Sequence, residues 1–160
     1  MERFQNISLI LGKIENKPFN RYTFPILGRT VASYVINAAI HSAKTQAVYL
    51  STDSSHLAEI GKNFSQVRFV KRKGHDTKLT EEVKYGLEQI KEDLGYLPER
   101  VAILLANSPC ITNGLIDNAF TILEEHKQTD SVVSVMKRDE FSPERIFSLN
   151  DKNQLERQSF

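Results

Sequence analysis

The sequence predicts a three-layer α/β/α sandwich built on a mostly parallel sheet. Short β-prone apolar runs alternate with longer segments of helical period along the 160 residues. The intervening segments are long enough for a helix, which implies parallel pairing through right-handed crossovers. One run, Val101 to Ala106, is apolar at every position. That pattern predicts a central strand covered on both faces.

In order, Ile7-Ser8-Leu9-Ile10-Leu11 is the first strand and stops at Gly12. Residues 13 to 27 have no clean period and hold Pro18 and Pro25, so they read as a long loop. From Thr30 to about His41, the side chains of Val31, Tyr34, Val35, Ala38 and Ala39 share one helical face. Ala47 to Ser51 is the second strand. Ser54 or Ser55 caps the helix after it, because a short hydroxyl accepts from an otherwise unpaired amide. Leu57, Ile60 and Gly61 face inward there. Val67 to Val70 is the third strand, followed by a basic polar loop from Lys71 to Lys78. Thr80 reads as the next cap, with Glu81 and Glu82 in a first turn where acids suit the helix dipole. Its apolar stripe is Val83, Leu87, Ile90 and Leu94. Beyond the central strand, Thr112 caps a helix that turns Leu115, Ile116, Ala119, Phe120 and Leu123 inward. Ser131 to Val135 reads as a fifth strand, and Arg145 to Leu149 as an extended piece before a polar tail. A single domain over 1–160 is expected at this length.

Lys and Arg number 21 against 20 Asp and Glu, a formal net charge of +1. That balance does not point to a nucleic-acid binder relying on a basic surface, and it leaves room for a local basic patch. Hydrophobic residues at 40% and charged residues at 26% exclude a disordered chain. The lone Cys110 cannot form an internal disulfide and reads as a small core residue. No apolar run is long enough to span a bilayer, and Met-Glu-Arg-Phe does not begin a signal peptide. A cytoplasmic protein with no membrane partner is expected. The four histidines share no metal-ligand spacing, so no zinc site is expected.

Ligands of such sheets bind beyond the carboxyl ends of the strands. Four loops lie there: Gly12–Leu27, Ser51–Ser55, Lys71–Lys78 and Ala106–Thr112. The first brings Lys13, Lys17 and Arg21 within nine residues. Such a cluster suits a phosphate chain, and it equally describes a solvated polar loop. It lacks the glycine spacing of a P-loop or a dinucleotide fingerprint. Ser51–Ser55 either touches a nucleoside or simply caps its helix. Lys71 to Thr77 offers basic groups to a phosphate, a base edge or solvent. Asn107 and Ser108 either bond a ribose or base, or close a turn before Pro109. No Asp-x-Asp occurs, and of the aspartates only Asp53 and Asp76 lie at this end of the sheet. The residues alone assemble no divalent-cation site, and its ligands stay unassigned.

Several segments in sequence then carry a family resemblance. They are Ser8-Leu9-Ile10-Leu11-Gly12-Lys13, Asn16-Lys17, and Pro25-Ile26-Leu27-Gly28-Arg29, then Val48 to Asp53 leading into Leu57-Ala58-Glu59-Ile60. Asp76-Thr77, Leu104 to Pro109 before Thr112, Asp130 to Val135 and Ser142-Pro143 complete the series. From about Ile7 to Leu155 the chain resembles the acylneuraminate cytidylyltransferases, the CMP-sialic acid synthetases. The resemblance implies a nucleotide-diphospho-sugar transferase-like fold and transfer of CMP from CTP to a sialic-acid-type sugar acid, with pyrophosphate released. It also implies Mg²⁺ as cofactor and a homodimer. Lys13 stands where the family has an Arg and Lys17 where it has a Lys, which makes both catalytic residues at the triphosphate. Leu11, Gly12, Arg21, Arg72, Asn107 and Ser108 complete the implied nucleotide-binding set. The chain departs from the family at Leu105, where a cytosine-reading Gln is usual, at Ile111, where an Arg is usual, and in the missing glycines around Lys17. It is also expected to lack the family's C-terminal part. The departures favour an alternative, a non-catalytic nucleotide-sugar or partner-binding domain of the same fold.

Overall fold

The computed structural model describes residues 3–13, 20–72, 78–135, 147–149 and 155–157. Asn6–Gly12 forms β1, buried at all seven positions. The run is continuous because the strand lies inside the sheet, with a parallel neighbour on each edge. Ala47–Thr52 (β4) pairs with it on one side and Arg100–Leu105 (β6) on the other. Val67–Lys71 (β5) pairs in parallel with the far edge of β4. The sheet order is β5-β4-β1-β6. The chain therefore steps outward from β1 to β4 to β5, then returns to the opposite side of β1. That reversal is a topological switch point, where ligand crevices of such sheets form.

Helices cover both faces. Val31–Ile40 (α1), Ser55–Lys62 (α2) and Asn113–Glu125 (α4) pack on one side. There Val35, Ile36, Leu57, Ile116 and Phe120 meet Ile10, Val48, Leu50 and Leu104 from the sheet. Leu79–Leu94 (α3) lies on the other side. Its Ile90 joins Ile7, Leu9, Leu11, Tyr49 and Val70. Successive strand residues alternate between the two clusters, as the period of two requires. Ser54 and Thr112 cap α2 and α4 as expected, accepting from Leu57 N and Leu115 N at 3.3 and 3.2 Å. α3 begins two residues earlier than expected. Lys78 is its N-cap, and Thr80 lies inside the first turn.

α3 is tied to the sheet by more than apolar contact. Tyr49 Oη donates to Asp93 Oδ2 at 2.7 Å, and Arg68 Nη1 donates to the same oxygen at 3.1 Å. Burial, then the bond to Asp93, pushes the Tyr49 hydroxyl up to about 12. The phenol therefore stays a proton donor at any ordinary pH, and the helix keeps its seat.

α4 is anchored by a carboxylate. Asp117 Oδ1 accepts from Ser42 Oγ at 2.6 Å and from Lys44 N at 3.0 Å, while Oδ2 accepts from Ala43 N at 3.2 Å. Burial opposes ionisation, yet the Ser42 hydroxyl and the two amides hold the carboxyl below its ordinary range. A depressed folded-state value means the contribution is full above the unfolded value of about 3.9 and is lost as pH falls through the folded value. Asp117→Asn is expected to lower the urea midpoint at pH 7 and to flatten the loss of stability below pH 4, with about 1–3 kcal/mol at stake. Equal acid sensitivity of the two proteins would contradict this.

Several expectations change. Residues 13 to 27 do not end as plain loop, because Pro25–Ile26 (β2) and Arg29–Thr30 (β3) make a hairpin. Its turn residues Leu27 and Gly28 both have positive φ, 47° and 78°. Glycine takes that conformation freely, but leucine does not. Leu27 is also 94% exposed, so it packs on nothing that would compensate. Leu27→Asn is expected to raise stability by about 0.5–1 kcal/mol, read as a higher urea midpoint.

β6 is an edge strand among the described residues, not a central one. Its Ala102 and Leu104 sit on the α1–α2–α4 cluster, while Ile103 and Leu105 are exposed on the other face. An all-apolar run shows what a strand could bury, not whether a helix lies over it. Ser131 to Val135 forms no strand, and Val133 and Val135 are exposed. A β-prone composition becomes a strand only beside a bonding partner. Cys110 is exposed and not in the core.

The chain divides into two compact units, Met1–Asp130 and Ser131–Phe160. Within the second, Phe147–Leu149 (β7) pairs antiparallel with Leu155–Arg157 (β8). No helix among the described residues is long and apolar enough to cross a membrane.

Candidate functional site

At the switch point the carboxyl ends of β1 and β6 open into a crevice of about 240 Å³. β1 contributes Leu11 and Gly12, and Lys13 follows directly. Leu105 and Asn107 come from the end of β6. Arg21 and Tyr22 precede the hairpin, Arg72 follows β5, and Leu79 opens α3.

Each wall has a local cause. Gly12 stands where any Cβ would strike the buried Leu57 side chain and approach the Ala106 Cβ to 3.1 Å. Any larger residue there would have to push Leu57 and Ala106 aside. Tyr22 is buried, and its hydroxyl accepts from Lys13 N at 2.9 Å. Asn20 Oδ1 accepts from Tyr22 N at 3.0 Å. The segment before the hairpin is thus pinned to the end of β1, and the Tyr22 ring is a wall beside the opening. On β6, Ala106 N donates to Leu11 O at 2.9 Å, which extends the ladder past the strand. Ser108 N then donates to Leu105 O at 3.1 Å, turning the chain so that Asn107 borders the crevice.

The cations are of two kinds. Lys13 and Arg21 are exposed. Arg72 is buried, with its Nε 3.7 Å from Asp53 Oδ2 and 3.7 Å from Glu82 Oε2. Buried charges persist only when paired, because desolvation otherwise costs several kcal/mol.

A second cavity of about 420 Å³ adjoins the first and shares Arg21 and Asn107 with it. Phe24, Val31 and Pro109 make its remaining walls, which are largely apolar. Together the two spaces reach the range of small-molecule sites, roughly 300–1,000 Å³.

Of the residues singled out from the sequence, Leu11, Gly12, Lys13, Arg21, Arg72 and Asn107 come together at one crevice. Ser108 closes the turn beside it instead of lining it. Lys17 lies outside the described residues, as do Asp76 and Thr77. Leu79 and Glu82 were not anticipated. Glu82 had a signal: with Gly86 and Ile90 it forms the buried i, i+4, i+8 line of α3. A glutamate in that line is turned inward.

The arrangement offers positive groups to a polyanion, apolar walls at Leu11, Leu79 and Leu105 to a flat ring, and one amide side chain to a polar edge. It does not offer a divalent cation a ligand set. Among the described residues no group of three or more His, Cys, Asp or Glu is placed to hold a metal. Asp53 and Glu82 face Arg72, and Asn107 brings a neutral amide. The described residues therefore do not fit Mg²⁺, and no chemical step is derived through one.

A family model described as cytidylyltransferase matches residues 13–159. Among solved structures, CMP:2-keto-3-deoxy-manno-octonic acid synthetase complexed with CTP aligns with TM-score 0.63 at 12% identity, covering 77% of this chain and 48% of that one. 4-Diphosphocytidyl-2C-methyl-D-erythritol synthase aligns with TM-score 0.58 at 17% identity, covering 80% and 56%. Rv0371c from Mycobacterium tuberculosis H37Rv, solved in complex with manganese, aligns with TM-score 0.56 at 12% identity, covering 74% and 59%. These likenesses establish the fold, that of the nucleotide-diphospho-sugar transferases. The chain spans about half to three-fifths of the length of these structures.

Proposed function

Since this chain belongs to the cytidylyltransferase family, we propose that it binds CTP in the crevice and transfers CMP to a sugar acid of the sialic-acid type. The observation that carries this reading is the convergence of Lys13, Arg21 and Arg72 with Leu11, Leu79, Leu105 and Asn107 at the switch point. A nucleoside triphosphate needs both kinds of surface, cations for its phosphates and an apolar slot for its base.

In the proposed reaction an acceptor hydroxyl attacks the α-phosphorus. A new phosphorus–oxygen bond forms, the bond to the bridging oxygen breaks, and pyrophosphate leaves with the electron pair. The hydroxyl proton passes to solvent. Catalysis of such a displacement is mostly positioning and charge neutralisation. Lys13, joined by Lys17, neutralises the triphosphate as negative charge builds on the leaving group. The adjoining cavity takes the acceptor, with its carboxylate toward Arg21 and its ring against Phe24. Leu105 cannot hydrogen-bond a base, so Asn107 is the polar side chain left to do so from β6.

Relatives differ in acceptor, as the octonic acid and methylerythritol names above indicate, so the sugar acid is the finer part of the proposal. A relative solved with manganese supports a divalent metal in the family. A second reading, a binding domain without turnover, is favoured by Leu105 and by the lack of a carboxylate cluster among the described residues.

Calorimetric titration with CTP, UTP, ATP and GTP, with and without Mg²⁺ or Mn²⁺, tests both. Saturable CTP binding with pyrophosphate release on adding N-acetylneuraminate supports transfer. Binding without release for any sugar acid tried supports the second reading. No nucleotide binding at millimolar concentration overturns transfer and any nucleotide-binding form of the second reading.

A further inference from the structure

Arg72 is buried, whereas the other two crevice cations, Lys13 and Arg21, are exposed. Its side chain is 5% exposed and lies between Asp53, 13% exposed, and Glu82, fully buried. The three residues come from three places, the turn after β4, the residue after β5 and the first turn of α3. Arg72 is at the same time a wall of the crevice.

We propose that Glu82 and Asp53 are positioning residues that fix the Arg72 guanidinium in the crevice wall, so that an incoming nucleotide meets a donor already in place. This rests on the nucleotide reading above. An exposed arginine loses rotamer freedom when it engages a ligand, and that loss weakens binding. A guanidinium clamped during folding has lost its freedom beforehand. The charge arithmetic favours positioning over attraction. Two formal carboxylates face one guanidinium, so the trio does not draw an anion by net charge. Its contribution is direction, because the planar guanidinium donates at fixed angles.

Charge and position make opposite predictions for one substitution. Glu82→Gln removes a negative charge next to a site for a polyanion. If charge alone matters, CTP binds more tightly. If Glu82 holds Arg72, CTP binds more weakly although repulsion has fallen. The test is calorimetric CTP titration of the full chain and of Glu82→Gln, Glu82→Asp, Asp53→Asn, Arg72→Lys and Arg72→Lys/Glu82→Gln, with thermal unfolding in parallel. Glu82→Gln is expected to weaken CTP binding about 5- to 20-fold, and Asp53→Asn to act in the same direction. Glu82→Asp keeps the carboxylate and is expected to recover most of the affinity. In the Arg72→Lys background Glu82→Gln is expected to add nothing. A merely structural glutamate would weaken binding equally in both backgrounds.

Unchanged or tighter CTP binding by folded Glu82→Gln overturns the proposal, as does an undiminished effect in the Arg72→Lys background. Should Glu82→Gln fail to fold, the less buried Asp53→Asn decides on the same criteria. A parent protein that binds no CTP brings down the nucleotide reading and the clamp together. A parent that binds CTP, with Glu82→Gln its equal, brings down the clamp alone.

Discussion

Lys13→Ala is expected to weaken CTP binding by about 10- to 100-fold, the loss of a charge-assisted contact to phosphate, without moving the urea midpoint. The two effects separate because the residue does two jobs with different atoms. Its backbone amide donates to the Tyr22 hydroxyl and holds the crevice edge, a bond that alanine keeps. Its side chain is exposed, so truncation opens no cavity. The affinity that remains should also fall less steeply with added salt, since one exposed charge has been removed from the screened interaction. Titration of both proteins at two ionic strengths checks this. A loss under about 3-fold would place the phosphates elsewhere.

Gly12→Ala is expected to damage fold and site together. The added methyl would collide with Leu57, which has no solvent exposure to retreat into, and would press on Ala106 Cβ at 3.1 Å and Tyr22 Cζ at 3.4 Å. Overpacking of a tight core typically costs 1–3 kcal/mol, and about that loss is expected in the urea midpoint. Movement of Leu57 and Ala106 disturbs the end of β1 that carries Lys13, so nucleotide binding should fall in whatever fraction remains folded. Gly114→Ala is the control. Nothing lies nearer than 4.0 Å to its added methyl, and that helical site should accept alanine at no loss. A fully stable Gly12→Ala protein would contradict the packing described for the end of β1.

The sheet was legible because its signal is local. Period-two and period-3.6 patterns identify β1, β4, β5 and the helices from neighbouring residues alone. The site was legible one step further out. Lys13 and Arg21 on one loop, Arg72 on another and Asn107 on a third meet only because β1 is central and the strand order reverses there. What escaped depends on pairing across long stretches of chain. Lys71-Arg72-Lys73 reads as a basic run open to a phosphate, a base edge or solvent, yet Arg72 is buried through partners nineteen residues before it and ten after it. Glu82 looks like a dipole-compensating acid at a helix start, yet it points at that arginine. Val101 to Ala106 looks like a central strand because every residue is apolar, yet Ile103 and Leu105 are exposed. Ser131 to Val135 has a strand's composition without a bonded strand beside it among the described residues.

The common boundary of the two cavities carries a consequence for how such a protein can change. Arg21 and Asn107 belong to both spaces, so a substitution at either alters both cavities at once. Independent adjustment is confined to the private walls, among them Leu79 and Leu105 on one side and Phe24, Val31 and Pro109 on the other. Variants selected for a new acceptor should therefore accumulate around the hairpin and Pro109, and leave the partition itself alone.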